Sequence, residues 1–353
     1  MPKRSAFVNN NNNEAKKLQS TLDVSASANW TEGSNLLIYN YSNVKPSSKL
    51  GLAKESDRRI PEFKAKFTAV CAKLDIPLRG YFSTSDDNLR KPRIGMWETL
   101  ESDNDGIEIN RNESIYCGDA AGREAQGKKK KDHSHCDRLF ALNVGITFKT
   151  PEELWDDNYA TYFTYPLLFD IAKFRDSFDD TIDPVPSALK DLKSPVLVIM
   201  VGFPASGKST FCGKYLQNAG FQIVSRDTIK DMKKCVEKCQ ALLKSGLSVV
   251  IDNTNVDTAS RSSFLQVAKN LMIPVYACVL KTSFDHARHN EIFRQITCKG
   301  HSKISIMVFN MMKNKYQVPT KEEGFTDVFE IPFIPKHSSQ THGELYFKHL
   351  LEK

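Results

Sequence analysis

The apolar residues of this chain fall into short unbroken runs separated by segments of helical spacing. The clearest run is Val196-Leu197-Val198-Ile199-Met200-Val201, which ends at Gly202. A strand covered on both faces reads this way, whereas a half-exposed strand alternates. Phe221–Val224, Leu247–Ile251 and Pro274–Leu280 repeat the pattern. Between them, Cys235, Cys239, Leu242 and Leu243, then Phe264–Ala268, then Phe284–Arg294 carry helical spacing. Strands alternating with helices predict a three-layer α/β domain around a parallel sheet.

The first half is patterned more weakly. Leu36–Tyr39 predicts a short strand, and Pro61–Val70 a helix with Phe63, Phe67 and Val70 on one face. Gly80–Thr84 and Ser114–Asp119 predict further strands, which makes a second α/β domain. Residues 1–34, with the homopolymer Asn9–Asn13, have little to bury and are expected to form a low-complexity tail. The aromatics, aspartates and prolines of 151–194 predict a linker. The expected organisation is thus a tail over 1–34, one domain over 35–150, a linker over 151–194 and a second domain over 195–353.

Composition alters this picture little. With 353 residues there is room for two cores, and 40% hydrophobic with 26% charged residues is ordinary for a globular chain. No apolar run is long enough to span a bilayer and the polar start lacks a secretory core, so an intracellular protein without a membrane partner is expected. The net charge of +7 is a mild bias toward anionic partners. Eight cysteines without C-x-x-C pairs argue against a disulfide framework or a zinc site; Cys235 and Cys239 are read as small buried side chains. Pro2-Lys3-Arg4 is too short to carry a nuclear-import assignment, and the run Lys128–Lys131 serves as solvated charge, as phosphate contacts or in nuclear import.

Chemistry concentrates after the first long apolar run. Gly202-Phe203-Pro204-Ala205-Ser206-Gly207-Lys208-Ser209-Thr210 fits G-x-x-x-x-G-K-[ST], a phosphate-binding loop. A triphosphate needs converging backbone N–H groups, and a glycine-rich turn lets the chain approach that closely. Lys208 is then the phosphate-binding cation and the Ser209 hydroxyl a Mg²⁺ ligand. Asp227 ends one strand and is either the base that takes an acceptor proton or the cap of the next helix. Asp252 ends another strand, where a carboxylate holds the Mg²⁺ shell. Arg288 and Arg294 form an arginine lid for developing phosphoryl charge, or belong to an ordinary surface helix. In the first domain Asp119 follows a strand, either as a catalytic or metal-binding carboxylate or as a helix-capping or loop aspartate.

Val201–Phe211, Ser225-Arg226-Asp227-Thr228, Ile251–Asn255, Ala287–Asn290 with Phe293-Arg294, and Glu323-Gly324-Phe325 through Glu330–Phe333 closely resemble the eukaryotic polynucleotide kinase 3′-phosphatases, DNA-end repair enzymes. The resemblance implies an ATP- and Mg²⁺-dependent kinase for DNA 5′-hydroxyl ends, or RNA ends, with Asp227 as base and Arg288 and Arg294 as lid arginines. The first domain resembles the family's haloacid-dehalogenase-like phosphatase. Arg90-Lys91-Pro92, Cys117–Arg123 and Lys129–Ala141 match its later motifs, which implies Lys91 as phosphate ligand and Asp119 as Mg²⁺ ligand.

The D-x-D-G-T motif that bears the phosphatase nucleophile does not occur. Asp103-Asn104-Asp105-Gly106-Ile107 lacks the threonine and follows the lysine motif, and Tyr41-Ser42-Asn43 stands where Phe-Thr-Asn is usual. The expectation is a phosphatase-like remnant containing Ser42, Lys91 and Asp119 that does not turn over. It belongs either to a truncated form or to a scaffold. The forkhead-associated domain of vertebrate members is also absent, which leaves docking to phosphorylated repair scaffolds without that route. The resemblance implies nuclear action, with mitochondria or cytoplasm as alternatives. A nucleoside or sugar kinase and a non-catalytic DNA-end scaffold are the rival readings.

Overall fold

In the computed structural model, residues 38–39, 59–74, 80–83, 87–104, 106–127, 130–156, 166–190 and 194–352 are described. Ser42, Asp105, Lys128 and Lys129 lie outside them. The chain forms two compact units, one of residues 1–170 with 348–353 and one of residues 171–347.

The first unit is built on a parallel sheet of β1 (Ile38–Tyr39), β2 (Ile115–Cys117) and β3 (Thr147–Lys149), in that order. Tyr39 pairs with Cys117 and Cys117 with Lys149. Helices α1 (Arg59–Leu74), α2 (Gly95–Ser102) and α3 (Cys136–Val144) intervene, and α4 (Pro151–Trp155) follows β3. Trp97 and Leu100 of α2 pack with Tyr116, Phe140, Ala141 and Val144 into one core. Gly80–Ser83, expected as a strand, has no ladder among the described residues. Its side chains turn to helical neighbours instead: Phe82 meets the edge of Phe67 at 5.3 Å, and Tyr81 donates to Asp103 at 2.9 Å.

Unit boundaries depart from the expected ones at both ends of the second domain. The division after Asp170 falls inside the expected linker, which contains α4, α5 (Ile171–Ser177) and a short 3₁₀ turn at Ser187–Leu189. Residues 348–352 belong with the first unit because His349 exchanges two hydrogen bonds with Asn143 (2.6 and 2.9 Å) and Lys348 donates to the Asn143 carbonyl.

The second unit is a five-stranded all-parallel sheet. Its strands are β4 (Leu197–Val201), β5 (Gln222–Val224), β6 (Val249–Ile251), β7 (Val275–Leu280) and β8 (Asp327–Ile331), ordered β5-β6-β4-β7-β8. From β4 the chain crosses to the edge strand β5, returns through β6 beside β4 and then continues to β7 and β8 on the other side, so the carboxyl end of β4 is the point where strand order reverses and a crevice opens. Between the strands come α6 (Lys208–Phe211, continuing as a π turn to Leu216), α7 (Arg226–Ile229), α8 (Met232–Lys244), α9 (Thr258–Leu271), α10 (Phe284–Thr297) and α11 (Ile306–Lys315), with α12 (Gln340–Tyr346) last. Polar caps start the longer helices. Asp231 accepts from Lys234 N, Asp257 and Ser260 form a capping box, and Ser283 accepts from His286 N.

Both faces of the sheet are covered, which explains the unbroken apolar runs. Cys235, Cys239 and Leu243 of α8 and Phe264 of α9 bury one face, while Leu189, Phe211, Leu216 and Phe221 bury the other. Burial pushes the Cys239 thiol up to about 12, so Cys239 is core packing, as its spacing predicts. Among the described residues no helix is long and apolar enough to cross a membrane.

Candidate active site

Lys208 anchors the site. The loop from Gly202 to Gly207 joins fully buried β4 to α6, and it closes because Gly202 has no side chain: a Cβ there would lie 2.8 Å from Ser206 Oγ. Inside this turn the Lys208 ammonium donates to the Gly202 and Phe203 carbonyls at 3.0 and 2.6 Å and to Ser206 Oγ at 3.4 Å. Only 7% of Lys208 is exposed. Burial pulls its pKa down to about 8, with Asp252 and Asp227 opposing the shift.

The remaining groups reach Lys208 from neighbouring strand ends. Asp252 follows β6 and has its pKa raised mainly by burial, with the nearby Ser209 hydroxyl opposing the shift. A half-desolvated carboxylate beside a hydroxyl is an oxygen donor set that suits Mg²⁺, which takes one or two protein oxygens and completes its shell with phosphate and water. Among the described residues no cluster of three or more His, Cys, Asp or Glu is arranged to hold a metal on its own. Asp227 is exposed and lies within electrostatic range of both Lys208 and Asp252. The cap of α7 is Ser225, whose hydroxyl accepts from Asp227 N at 3.2 Å, so the Asp227 carboxylate is not spent on helix capping. Asn253 accepts from Arg226 N at 2.8 Å and ties the ends of β5 and β6 together.

On the other side of the loop lies a cleft of about 350 Å³. Its walls include Ala205–Phe211, Lys214 and Tyr215, Phe293 and Arg294 of α10, and the segment Pro332–His337 after β8. Arg294 also acts electrostatically on Lys208. Arg288 is not part of that wall: it pairs with Asp285 at 3.1 Å and lies 5.5 Å from the Phe284 ring. Helix geometry gives the reason, since residues six apart point roughly 120° away from each other. Phe293 and Arg294 share a face with Asn290 at three and four residues' spacing, a signal the sequence offered.

Sequence reasoning assigned no role to the side chains that hold the loop. Thr282, just past β7, donates to the Ser206 carbonyl at 3.0 Å, and Asn290 donates to the Ala205 carbonyl at 2.9 Å. These contacts span 76 and 85 positions, beyond the reach of local spacing.

In the first unit Lys91 pairs with Asp137, which is 0% exposed, and donates to Tyr116 Oη at 2.8 Å. Asp137 also accepts from Ala120 N at 3.0 Å. Gly118 permits this approach, because a Cβ there would stand 2.5 Å from Asp137 Oδ2. Asp119 is half-buried on the loop after β2, and its carbonyl accepts from Arg123 at 3.2 Å. The buried partner of Lys91 is therefore Asp137, which the sequence reading quoted without a role.

A parallel sheet with a phosphate loop at its switch point, carboxylates after two neighbouring strands and an arginine-bearing helix beyond a third defines a P-loop kinase domain. Comparison with known proteins carries this further. Residues 4–155 match the family described as "Polynucleotide kinase 3 phosphatase", and residues 197–319 match one described as "AAA domain". The first match takes in most of the stretch whose composition reads as a tail. A "Bifunctional polynucleotide phosphatase/kinase" of Schizosaccharomyces pombe is 34% identical over 298 residues, covering 83% of this chain and 69% of that protein. A "Putative bifunctional polynucleotide phosphatase/kinase" of Acanthamoeba polyphaga mimivirus is 32% identical over 279 residues, covering 72% of this chain and 64% of that one. Among solved structures, Chaetomium thermophilum Kti12 in complex with ADP-AlF3 overlaps 43% of this chain and 95% of its own, at 16% identity and a TM-score of 0.32. The chain belongs to the bifunctional polynucleotide phosphatase/kinase family.

The Lys208 environment fixes a pH dependence. The ammonium is charged below about pH 8 and loses its proton above it. Phosphate ionisation is already complete there, its second pKa being about 6. ATP affinity is therefore expected to fall as pH rises from 7.5 to 9.5, by at most about tenfold per unit. Titration with a fluorescent ATP analogue measures this. The Lys208→Ala variant should bind weakly with no such slope, and an equal slope in that variant removes Lys208 as the titrating group.

Proposed function

We propose that this chain phosphorylates 5′-hydroxyl ends of DNA with ATP, and that its first unit carries no 3′-phosphatase turnover. The observation that carries the kinase reading is the convergence of Asp227, Asp252 and Arg294 on Lys208, within a chain of the polynucleotide phosphatase/kinase family.

In this reading the amides of 202–210 and the Lys208 ammonium hold the phosphates. Phe333, Ile334 and Pro335 give an apolar wall to the nucleoside end of the cleft. Ser209 and Asp252 hold Mg²⁺, whose charge offsets that of the phosphates. Asp227 is solvent-exposed and so open to a polynucleotide terminus; its carboxylate takes the proton of the attacking hydroxyl. Arg294 faces the negative charge that gathers on the transferring group.

The phosphatase half of the proposal rests on chemistry missing from the 353 residues. An aspartyl-phosphate mechanism begins with the first aspartate of D-x-D-G-T, and no such motif is present. Lys91 and Asp137 neutralise each other where a phosphate would need the lysine.

Both halves are tested with radiolabelled ATP, a 5′-hydroxyl oligonucleotide, a panel of free nucleosides and sugars, and a 3′-phosphate oligonucleotide. The expected result is label on the 5′ end, none on the small molecules and no phosphate released from the 3′ end. Label on a nucleoside or sugar in preference to the oligonucleotide makes this a small-molecule kinase. Oligonucleotide binding without ATP consumption makes it a scaffold. Release of 3′-phosphate overturns the second half alone.

A further inference from the structure

The phosphate loop contains a residue whose backbone is unusual for its type. Ala205 sits at φ 56°, in the left-handed region that an L-residue other than glycine enters only under constraint. One constraint is the Asn290 side chain, whose amide donates to the Ala205 carbonyl at 2.9 Å. A carbonyl only accepts, so the Asn290 NH₂ must face Ala205 and Oδ1 must face the other way. Oδ1 accepts the Tyr346 hydroxyl proton at 2.8 Å. With that proton committed, His286 Nε2, 2.8 Å from the same oxygen, is the donor to it. Burial holds the His286 pKa down at about 4, so the ring is a neutral Nε2–H tautomer. The bonds run in one sense from His286 to Tyr346 to Asn290 to the loop, an arrangement in which each polarises the next.

We infer that Tyr346 and His286 are positioning residues for nucleotide binding, acting through Asn290 to hold Ala205 in the left-handed turn that aims the loop amides at the phosphates. Tyr346 stands at the end of α12 and is 3% exposed, with its ring against His289 and Phe293. The inference rests on the nucleotide-binding part of the function proposed above and is independent of the acceptor.

The test is ATP affinity, measured with no acceptor present, together with steady-state KM and kcat. Tyr346→Phe keeps the ring and removes the hydroxyl. It is expected to raise Kd and KM for ATP about five- to tenfold, the factor one neutral hydrogen bond is worth, with kcat within twofold. A purely structural role would lower the unfolding temperature without that split. Ala205→Gly supplies the decisive comparison, because glycine adopts φ 56° without the penalty. In the Ala205→Gly background, Tyr346→Phe should change ATP affinity less than twofold. His286→Leu should reproduce the loss, and His286→Gln, whose amide can donate from the place of Nε2, should restore it. Unchanged ATP affinity in Tyr346→Phe overturns the inference, as does an effect that persists undiminished in the Ala205→Gly background. Normal ATP binding with no label on a 5′ end defeats the acceptor assignment and leaves this relay standing.

Discussion

Asp227→Asn is expected to lower kcat for 5′-end phosphorylation by about a thousandfold while leaving ATP affinity within about threefold, since a positioned general base supplies roughly 10²–10⁴ of rate. The separation of the two effects follows from where the residue sits. Asp227 reaches Lys208 and Asp252 electrostatically from the β5 side and forms no part of the cleft that takes the nucleotide. Asparagine keeps the size and the helix, whose cap is Ser225, and removes only the charge and basicity. Removing one negative charge near Lys208 also favours bound phosphate slightly, so any shift in ATP affinity should be toward tighter binding. The measurement pairs ATP titration with single-turnover transfer to a 5′-hydroxyl oligonucleotide. End-labelling at half the wild-type rate or more would remove Asp227 from the mechanism.

What the sequence made legible was local. Gly202 to Thr210 is a contiguous backbone device, and the apolar runs before it and at β6 and β7 announce strands covered on both faces, as the two core clusters bear out. Asp252 and Asp227 were placed by the same logic, each ending a run. The illegible features depend on distant partners. Asn290 and Thr282 look like ordinary helix and loop residues until the fold sets them on the loop carbonyls. Lys91 meets Asp137 across 46 positions, a pairing that no local spacing announces. Gly80–Ser83 has strand composition, yet its aromatic and hydroxyl groups find partners outside any ladder. Arg288 and Arg294 look equivalent in a run of letters, but a helix of 3.6 residues per turn separates them.

The largest stability effect in the kinase unit is expected from Arg261. It lies on α9, 0% exposed, and is not among the residues that line the cleft. Its Nε and Nη2 donate to the two oxygens of Glu323 at 2.8 and 2.6 Å, and Nη1 donates to the carbonyls of Asn255 and Gln317, each at 3.0 Å. One guanidinium thus joins the loop that follows β6, the chain beyond α11 and the turn before β8. Asn255 in turn donates to the Met200 carbonyl at 2.7 Å, which links the same hub to β4 just ahead of the phosphate loop. Arg261→Ala leaves the Glu323 carboxylate without its cation, two carbonyls without a donor and a void where the buried side chain stood. Breaking one side of a buried pair costs about 3–5 kcal/mol, which in a unit of this size lowers the unfolding midpoint by roughly 6–20 °C. Arg261→Lys keeps the charge but not the fork and should recover less than half of the loss. Arg261→Met combined with Glu323→Leu removes both charges and should be more stable than Arg261→Ala. Differential scanning calorimetry on the full chain reads these shifts in the transition that ATP moves upward, the signature of the unit that binds it. If Arg261→Ala melts within 2 °C of wild type in that transition, the hub does not hold the strand ends, and the loop after β6 is fixed by its other bonds, from Asn255 to the Met200 carbonyl, Gly202 N to the Thr254 carbonyl and Gln317 N to the Val256 carbonyl.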